Sequence, residues 1–225
     1  MTSAQRAISP DVAMQIDALP LDNHLPLLIT DADEVLFGFM AAFERYMERN
    51  GAFFDWSSYR LNGNIRYQSD RSPLDGPAVK DLLLGFFRDE TRHIDAVDGA
   101  AETLAHLNQK MQVVVLTNLP HDHRDDRRHA LMRHGMDYPL VTNEGSKAPA
   151  VNALAARTRG FVAFIDDSPN HHHEVAGVND VHKIHFVSNQ RLSSLLGPVE
   201  HSDFSAQSWQ DIRDNLERQL ERHGH

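Results

Sequence analysis

A doubly wound α/β fold with a mostly parallel sheet and an inserted helical segment is what this sequence predicts, on three observations. Apolar runs of strand length recur along the chain, patterns of helical period separate them, and an unusually long interval follows the first run. Near-continuous apolar strands alternating with helices belong to a parallel sheet covered on both faces.

Residues 1–25 are a polar lead with a short helical pattern (Val12, Ile16, Leu19) that stops at Pro20. The run 25–30 is the first buried strand and ends at Asp31. A helix is predicted over 38–50, with Phe39, Phe43 and Met47 on one face and Asn50-Gly51 as its stop. Residues 60–77, rich in Asn, Gly, Ser, Asp and Pro, read as a loop, and helical patterns follow at 78–89 and 98–109. The second buried strand is 112–116, followed by a polar helix running to His134-Gly135. Next come a short edge-like strand at 138–141, a helix from about 148 to 160, and buried strands at 161–165 and 183–187. A final helix over 205–222 places Trp209, Ile212, Leu216 and Leu220 on one face. That face suits docking within the chain or a dimer equally, so the oligomeric state is open.

About 80 residues separate the first two strands, where a single crossover needs a few tens. We therefore divide the chain into a core of residues 1–38 and 96–225 and a mostly helical insert at 39–95. Seven of the eleven phenylalanines lie between Phe37 and Phe87, enough for the insert to carry a small core of its own.

At 225 residues the chain has room for one well-buried domain with such an insertion, or for two small domains. A formal net charge of −10 argues against nucleic acid and anionic membranes as partners. Cysteine is absent, which excludes disulfides and thiol catalysis. Met1–Arg6 leads into no apolar signal segment, and no apolar run approaches the ~20 residues needed to span a bilayer. A cytoplasmic address is the default expectation.

Four short segments carry chemistry: Asp31-Ala32-Asp33 after the first strand, Thr117-Asn118 after the second, Lys147 at a helix start, and Asp166-Asp167 after a later strand. A parallel sheet delivers the carboxyl ends of its strands to one edge, where open α/β folds place ligands. Singly, each segment is more often an ordinary turn or helix start; their order and context make the set specific. The set resembles the haloacid dehalogenase superfamily of aspartate-nucleophile phosphohydrolases, from Leu27 to about Glu174. The matches are Asp31-Ala32-Asp33-Glu34-Val35-Leu36, Leu116-Thr117-Asn118, Gly145-Ser146-Lys147 and Ile165-Asp166-Asp167-Ser168-Pro169-Asn170.

The resemblance implies a strand order of 5-4-1-2-3, a helical cap made by the insert, and Mg²⁺ as cofactor. It also implies Asp31 as nucleophile and Asp33 as general acid and base. Thr117, Asn118 and Lys147 would hold the phosphoryl group, and Asp31, Asp166, Asp167 and the Asp33 carbonyl would hold the metal. A capped site implies a small phosphorylated metabolite. In the insert, Trp56, Tyr59, Arg60, Arg66 and Tyr67 are candidate substrate contacts, although packing and surface charge explain them as well.

A phosphomutase would use the same residues, and a non-catalytic binding protein could retain them. A dehalogenase would need neither Asp33 nor the acidic pair. A signalling receiver domain would carry its acidic pair on the first strand rather than late in the chain. Glu34 departs from the glycine common after the second Asp, and would be strained if a left-handed backbone is required there. Among the 15 histidines, the adjacent His171-His172-His173 cannot all face one ion from a helix, and for this cluster and His121-Asp122-His123 a polar helix start is favoured over a transition-metal site. A milder expectation is that His171 and His172 attract anionic substrate at the mouth of the site.

Overall fold

The computed structural model describes residues 7–225; the opening Met1–Arg6, where no signal segment was expected, lies outside the described residues. Nine α-helices and eight strands are present in that range. The helices are α1 (Pro10–Asp17), α2 (Phe39–Arg49), α3 (Gly76–Glu90), α4 (Ala100–Leu107), α5 (Arg124–Arg133), α6 (Ala148–Ala155), α7 (Pro169–Val175), α8 (Gln190–Ser194) and α9 (Trp209–Arg222). The strands are β1 (Leu27–Thr30), β2 (Ala52–Phe54), β3 (Ile65–Tyr67), β4 (Gln112–Thr117), β5 (Leu140–Thr142), β6 (Val162–Asp166), β7 (Val181–Phe186) and β8 (Phe204–Ala206).

Six strands form one sheet in the order β5-β4-β1-β6-β7-β8, and every pairing in it is parallel. Its five longer-predicted strands follow the expected 5-4-1-2-3 order, with β1 at the centre. Alternate residues feed the two faces. Leu28, Val113, Val115, Ala163 and Ile165 join the core beneath α4, α5 and α9, whereas Leu27, Ile29, Val114, Leu116 and Phe164 pack with α1 and α6. Burial on both faces explains why these strands read as unbroken apolar runs.

The sequence reading missed several short elements and helix ends. β8 extends the sheet by a sixth strand where a helix was expected, because Phe204 to Ala206 pair with Ile184 to Phe186. The last helix begins only where Ser208 caps it, its side chain accepting from Asp211 N. Within the insert, Ala52–Phe54 and Ile65–Tyr67 form an antiparallel hairpin, so the expected 60–77 loop contains a strand. The helix predicted from 148 ends at Ala155, and Arg157 beyond it donates to the Ile16 and Leu19 carbonyls at the end of α1.

The aromatic cluster of the insert also merges with the sheet's core rather than standing apart. Phe86 meets Phe43 edge-on at 5.2 Å and Phe39 at 5.2 Å, and the cluster runs through Met40 and Phe37 into the face that contains Leu28. The apolar face of α9 is spent inside the chain. Trp209 is buried, its Nε1 donates to the Val35 carbonyl, and Leu216 and Leu220 complete the same core. Among the described residues, no helix is long and apolar enough to cross a membrane.

Candidate active site

Parallel pairing places the ends of β1, β4 and β6 side by side. Thr30 stands opposite Ile165, so Asp31 follows next to Asp166, and Asp31 N donates to the Ile165 carbonyl at 2.9 Å. Carboxylate oxygens of Asp31, Asp166 and Asp167 lie within 4.8 Å of one another. Lys147, immediately before α6 and fully buried, places Nζ 2.7 Å from Asp31 Oδ1 and 2.7 Å from Asp166 Oδ2. Asp166 is further held by Ser168 N at 2.9 Å and His171 Nδ1 at 2.9 Å.

The charges in this cluster do not balance. Burial pushes the Asp31 carboxyl up to about 6, the Lys147 ammonium opposing the shift and the Asp166 and Asp33 carboxylates adding to it. Burial would also raise Asp166, yet Lys147 and His171 outweigh it and hold that carboxyl well below the usual range. Asp167 goes the other way, raised well above its ordinary value by burial and then by Asp166 and Asp31. Burial works against the charge on Lys147, but its two carboxylate partners raise it above the ordinary lysine value. Three crowded carboxylates with one ammonium and an all-oxygen donor set fit a hard divalent cation such as Mg²⁺.

Thr117 is buried at the end of β4, and its Oγ1 has no hydrogen-bond partner among the described residues. A buried hydroxyl left open in this way is unusual and suits a ligand oxygen. The Asn118 side chain donates to the Gly145 carbonyl at 2.8 Å and accepts from Asn143 at 2.8 Å. It therefore ties the end of β4 to the loop that carries Lys147.

Asp33 is placed differently. Its carboxylate is not in the three-carboxylate group; Oδ1 accepts from Arg127 Nη2 at 2.6 Å. The sequence reading did not select Arg127, which looks like its neighbours Arg124 and Arg128 on a polar helix yet is fully buried.

Glu34 does adopt the left-handed backbone, at φ 63°. Such a conformation costs a non-glycine residue about 1–2 kcal/mol, and the side chain supplies the compensation. Its Oε2 accepts from Met40 N at 2.8 Å, and its Oε1 accepts from Asn189 N at 2.7 Å and from the Ser188 hydroxyl. One buried carboxylate thus joins the turn after β1 to the start of α2 and to the loop after β7. Burial still leaves this carboxyl above its ordinary value, against the pull of those bonds. Glu34→Ala is expected to destabilise by about 2–3 kcal/mol, since it keeps the strain and leaves one buried and two partly buried donors without their acceptor. Glu34→Gly should cost roughly 1 kcal/mol less by relieving the strain. Urea unfolding of both variants checks the order.

The histidines divide by position. His172 is buried, with Nε2 3.0 Å from the Asp166 carbonyl, and His185 Nε2 is 3.0 Å from that of Asp167. Burial lowers the pKa of both rings. These two rings support the acidic turn from behind, so His172 is not at the mouth of the site as expected, while His171 lies against Asp166 itself. No histidine belongs to a group able to hold a metal among the described residues.

The five insert candidates are not drawn into the carboxylate cluster. Trp56 Nε1 donates to Glu44 at 2.8 Å, and the Arg191 guanidinium stacks 3.9 Å over its ring. Arg66 pairs with Asp55 at 2.8 Å, the Arg60 carbonyl accepts from Asn64, and Tyr59 and Tyr67 are exposed.

No protein-family model matches the chain, and none of the curated proteins does. Solved structures do match. A haloacid dehalogenase family hydrolase of Deinococcus radiodurans R1, with bound phosphate and sodium, is 19% identical with a TM-score of 0.57, over 88% of this chain and 97% of its own. YfnB of Bacillus subtilis, bound to magnesium, is 14% identical with a TM-score of 0.57, over 86% and 99%. CbbY of Rhodobacter sphaeroides, in complex with phosphate, is 15% identical with a TM-score of 0.53, over 83% and 95%. At these identities the likeness is one of fold.

Proposed function

We propose that this chain, which shares the haloacid dehalogenase-like fold, is a Mg²⁺-dependent phosphohydrolase of small phosphomonoesters. The observation that carries the reading is one buried ammonium shared by two carboxylates, with a third carboxylate and an unpartnered buried hydroxyl at the same sheet edge. Binding of phosphate and magnesium by the neighbours of like fold supports it. Residues 39–95 would act as the cap that excludes water and sets specificity, with Trp56, Tyr59, Arg60, Arg66 and Tyr67 as its candidate substrate contacts.

Asp31 would attack phosphorus as the bond to the leaving oxygen breaks, giving an aspartyl-phosphate. Asp33 would give its proton to that oxygen, then take one from the water that releases phosphate. The Thr117 hydroxyl and the Asn118 backbone N–H would donate to phosphoryl oxygens, and Lys147 would balance charge between nucleophile and phosphate. Bound by Asp31, Asp166, Asp167 and the Asp33 carbonyl, Mg²⁺ would relieve the repulsion between carboxylate and phosphate dianion.

The test is hydrolysis of an aryl phosphate with Mg²⁺ and with EDTA. Activity that persists unchanged in EDTA would refute the metal requirement, and product analysis on a sugar phosphate separates hydrolysis from return of the phosphoryl group. A pH prediction accompanies it. The folded state keeps the Asp31 proton between about pH 4 and 6 while the unfolded state has lost it, so metal-free stability falls as pH rises through that window. Asp167 acts in the same direction. Mg²⁺ needs the ionised form, so its affinity should tighten by about tenfold or more per pH unit below 6. Calorimetric titration from pH 5 to 7 checks this; a pH-independent affinity contradicts it.

A further inference from the structure

We propose that Arg127 is a positioning residue for the proton-transferring carboxylate Asp33; the inference rests on the phosphohydrolase reading above. Arg127 is fully buried, and only one of its guanidinium nitrogens has a protein partner. Nη2 donates to Asp33 Oδ1 at 2.6 Å, whereas Nε and Nη1 have no acceptor among the described residues. A guanidinium offers five N–H donors, and a buried one in a purely structural role ordinarily satisfies most of them. Here the flat group lies over the Phe37 ring, Cζ 4.9 Å from its centre, which supports the charge without directing it elsewhere.

The location of Arg127 in the fold gives the contact its use. Arg127 belongs to α5, the helix that follows β4, and β4 ends at Thr117. Ala130 and Leu131 fix α5 against the sheet core. The group that would orient Asp33 is therefore mounted on the same strand–helix unit as the hydroxyl that would orient the phosphate. Asp33 itself is on the turn after β1 with a partly exposed side chain, and Arg127 is its one side-chain hydrogen-bond partner among the described residues. Held from Oδ1, the carboxyl keeps Oδ2 for the proton that passes to the leaving oxygen as the P–O bond breaks, and that returns from the attacking water.

Two esters differing in leaving group test this. An alkyl phosphate needs the proton from Asp33; 2,4-dinitrophenyl phosphate releases a stable phenolate without it. With Mg²⁺ present, Arg127→Met is expected to lower kcat/KM, which reads the leaving-group step alone, by about 10²-fold or more on the alkyl ester and by less than about fivefold on the dinitrophenyl ester. Asp33→Asn should show the same split, and the double variant should be no slower than Asp33→Asn alone. Arg127→Lys should show the split in weaker form, and carries the test if Arg127→Met does not fold. Equal losses on both esters, or additive losses in the double variant, would overturn the inference. Wild-type protein inactive on both esters would overturn the phosphohydrolase reading, and this inference with it.

Discussion

Asp31→Asn is expected to remove turnover by a factor on the order of 10⁴ or more while leaving the fold intact. The amide keeps the size of the carboxylate but cannot form the covalent intermediate. The site is also relieved by the change, since Asp31 is one of three crowded carboxylates and burial already pushes its carboxyl up to about 6. Lys147 keeps Asp166 as a partner at 2.7 Å. The variant should therefore melt at the wild-type temperature or above it, in line with the cost that active-site charge imposes on stability. Its Mg²⁺ affinity should fall and depend less steeply on pH below 6, keeping only the part due to Asp167. Thermal unfolding and calorimetric titration measure the two effects beside the rate. A variant that retains activity would remove Asp31 from the role of nucleophile.

The second large effect is on stability. Lys147→Met replaces a buried ammonium that touches both Asp31 and Asp166, leaving three carboxylates without their lysine counter-charge. Removing one partner of a buried ion pair costs about 3–5 kcal/mol, which for a chain of this size lowers Tm by roughly 6–20 °C. The deficit should shrink at pH 5, where Asp31 takes up a proton, and again on addition of Mg²⁺, which supplies the missing positive charge. A uniform deficit across pH and metal would mean that the loss is one of packing rather than charge. Turnover should fall about 10²–10³-fold even where the variant is folded.

Much of this arrangement is legible in the amino-acid sequence. The inner strands β1, β4 and β6 announced themselves as apolar runs because both faces are covered, and the acidic and hydroxyl groups of the site sat at the carboxyl ends of those runs. The short elements were less legible. β8 is three residues held by pairing with β7, and β3 lies in a polar stretch whose composition reads as loop; neither has enough periodicity to signal itself.

Local pattern alone determined the α/β class, the insertion after β1, and the placing of Asp31, Thr117, Lys147, Asp166 and Asp167 at strand ends and a helix start, while the central position of β1 followed from the family resemblance. Apolar burial and strand ends repeat over a few residues, and so they are written locally. Tertiary structure decided which charges are partners. Arg127 reaches Asp33 across 94 positions and Ser188 reaches Glu34 across 154. A charged side chain on a polar helix looks the same in sequence whether it faces water or a buried carboxylate. What separates the two is the desolvation and pairing energy set by its neighbours, and those neighbours exist only once the strands have been brought to a common edge.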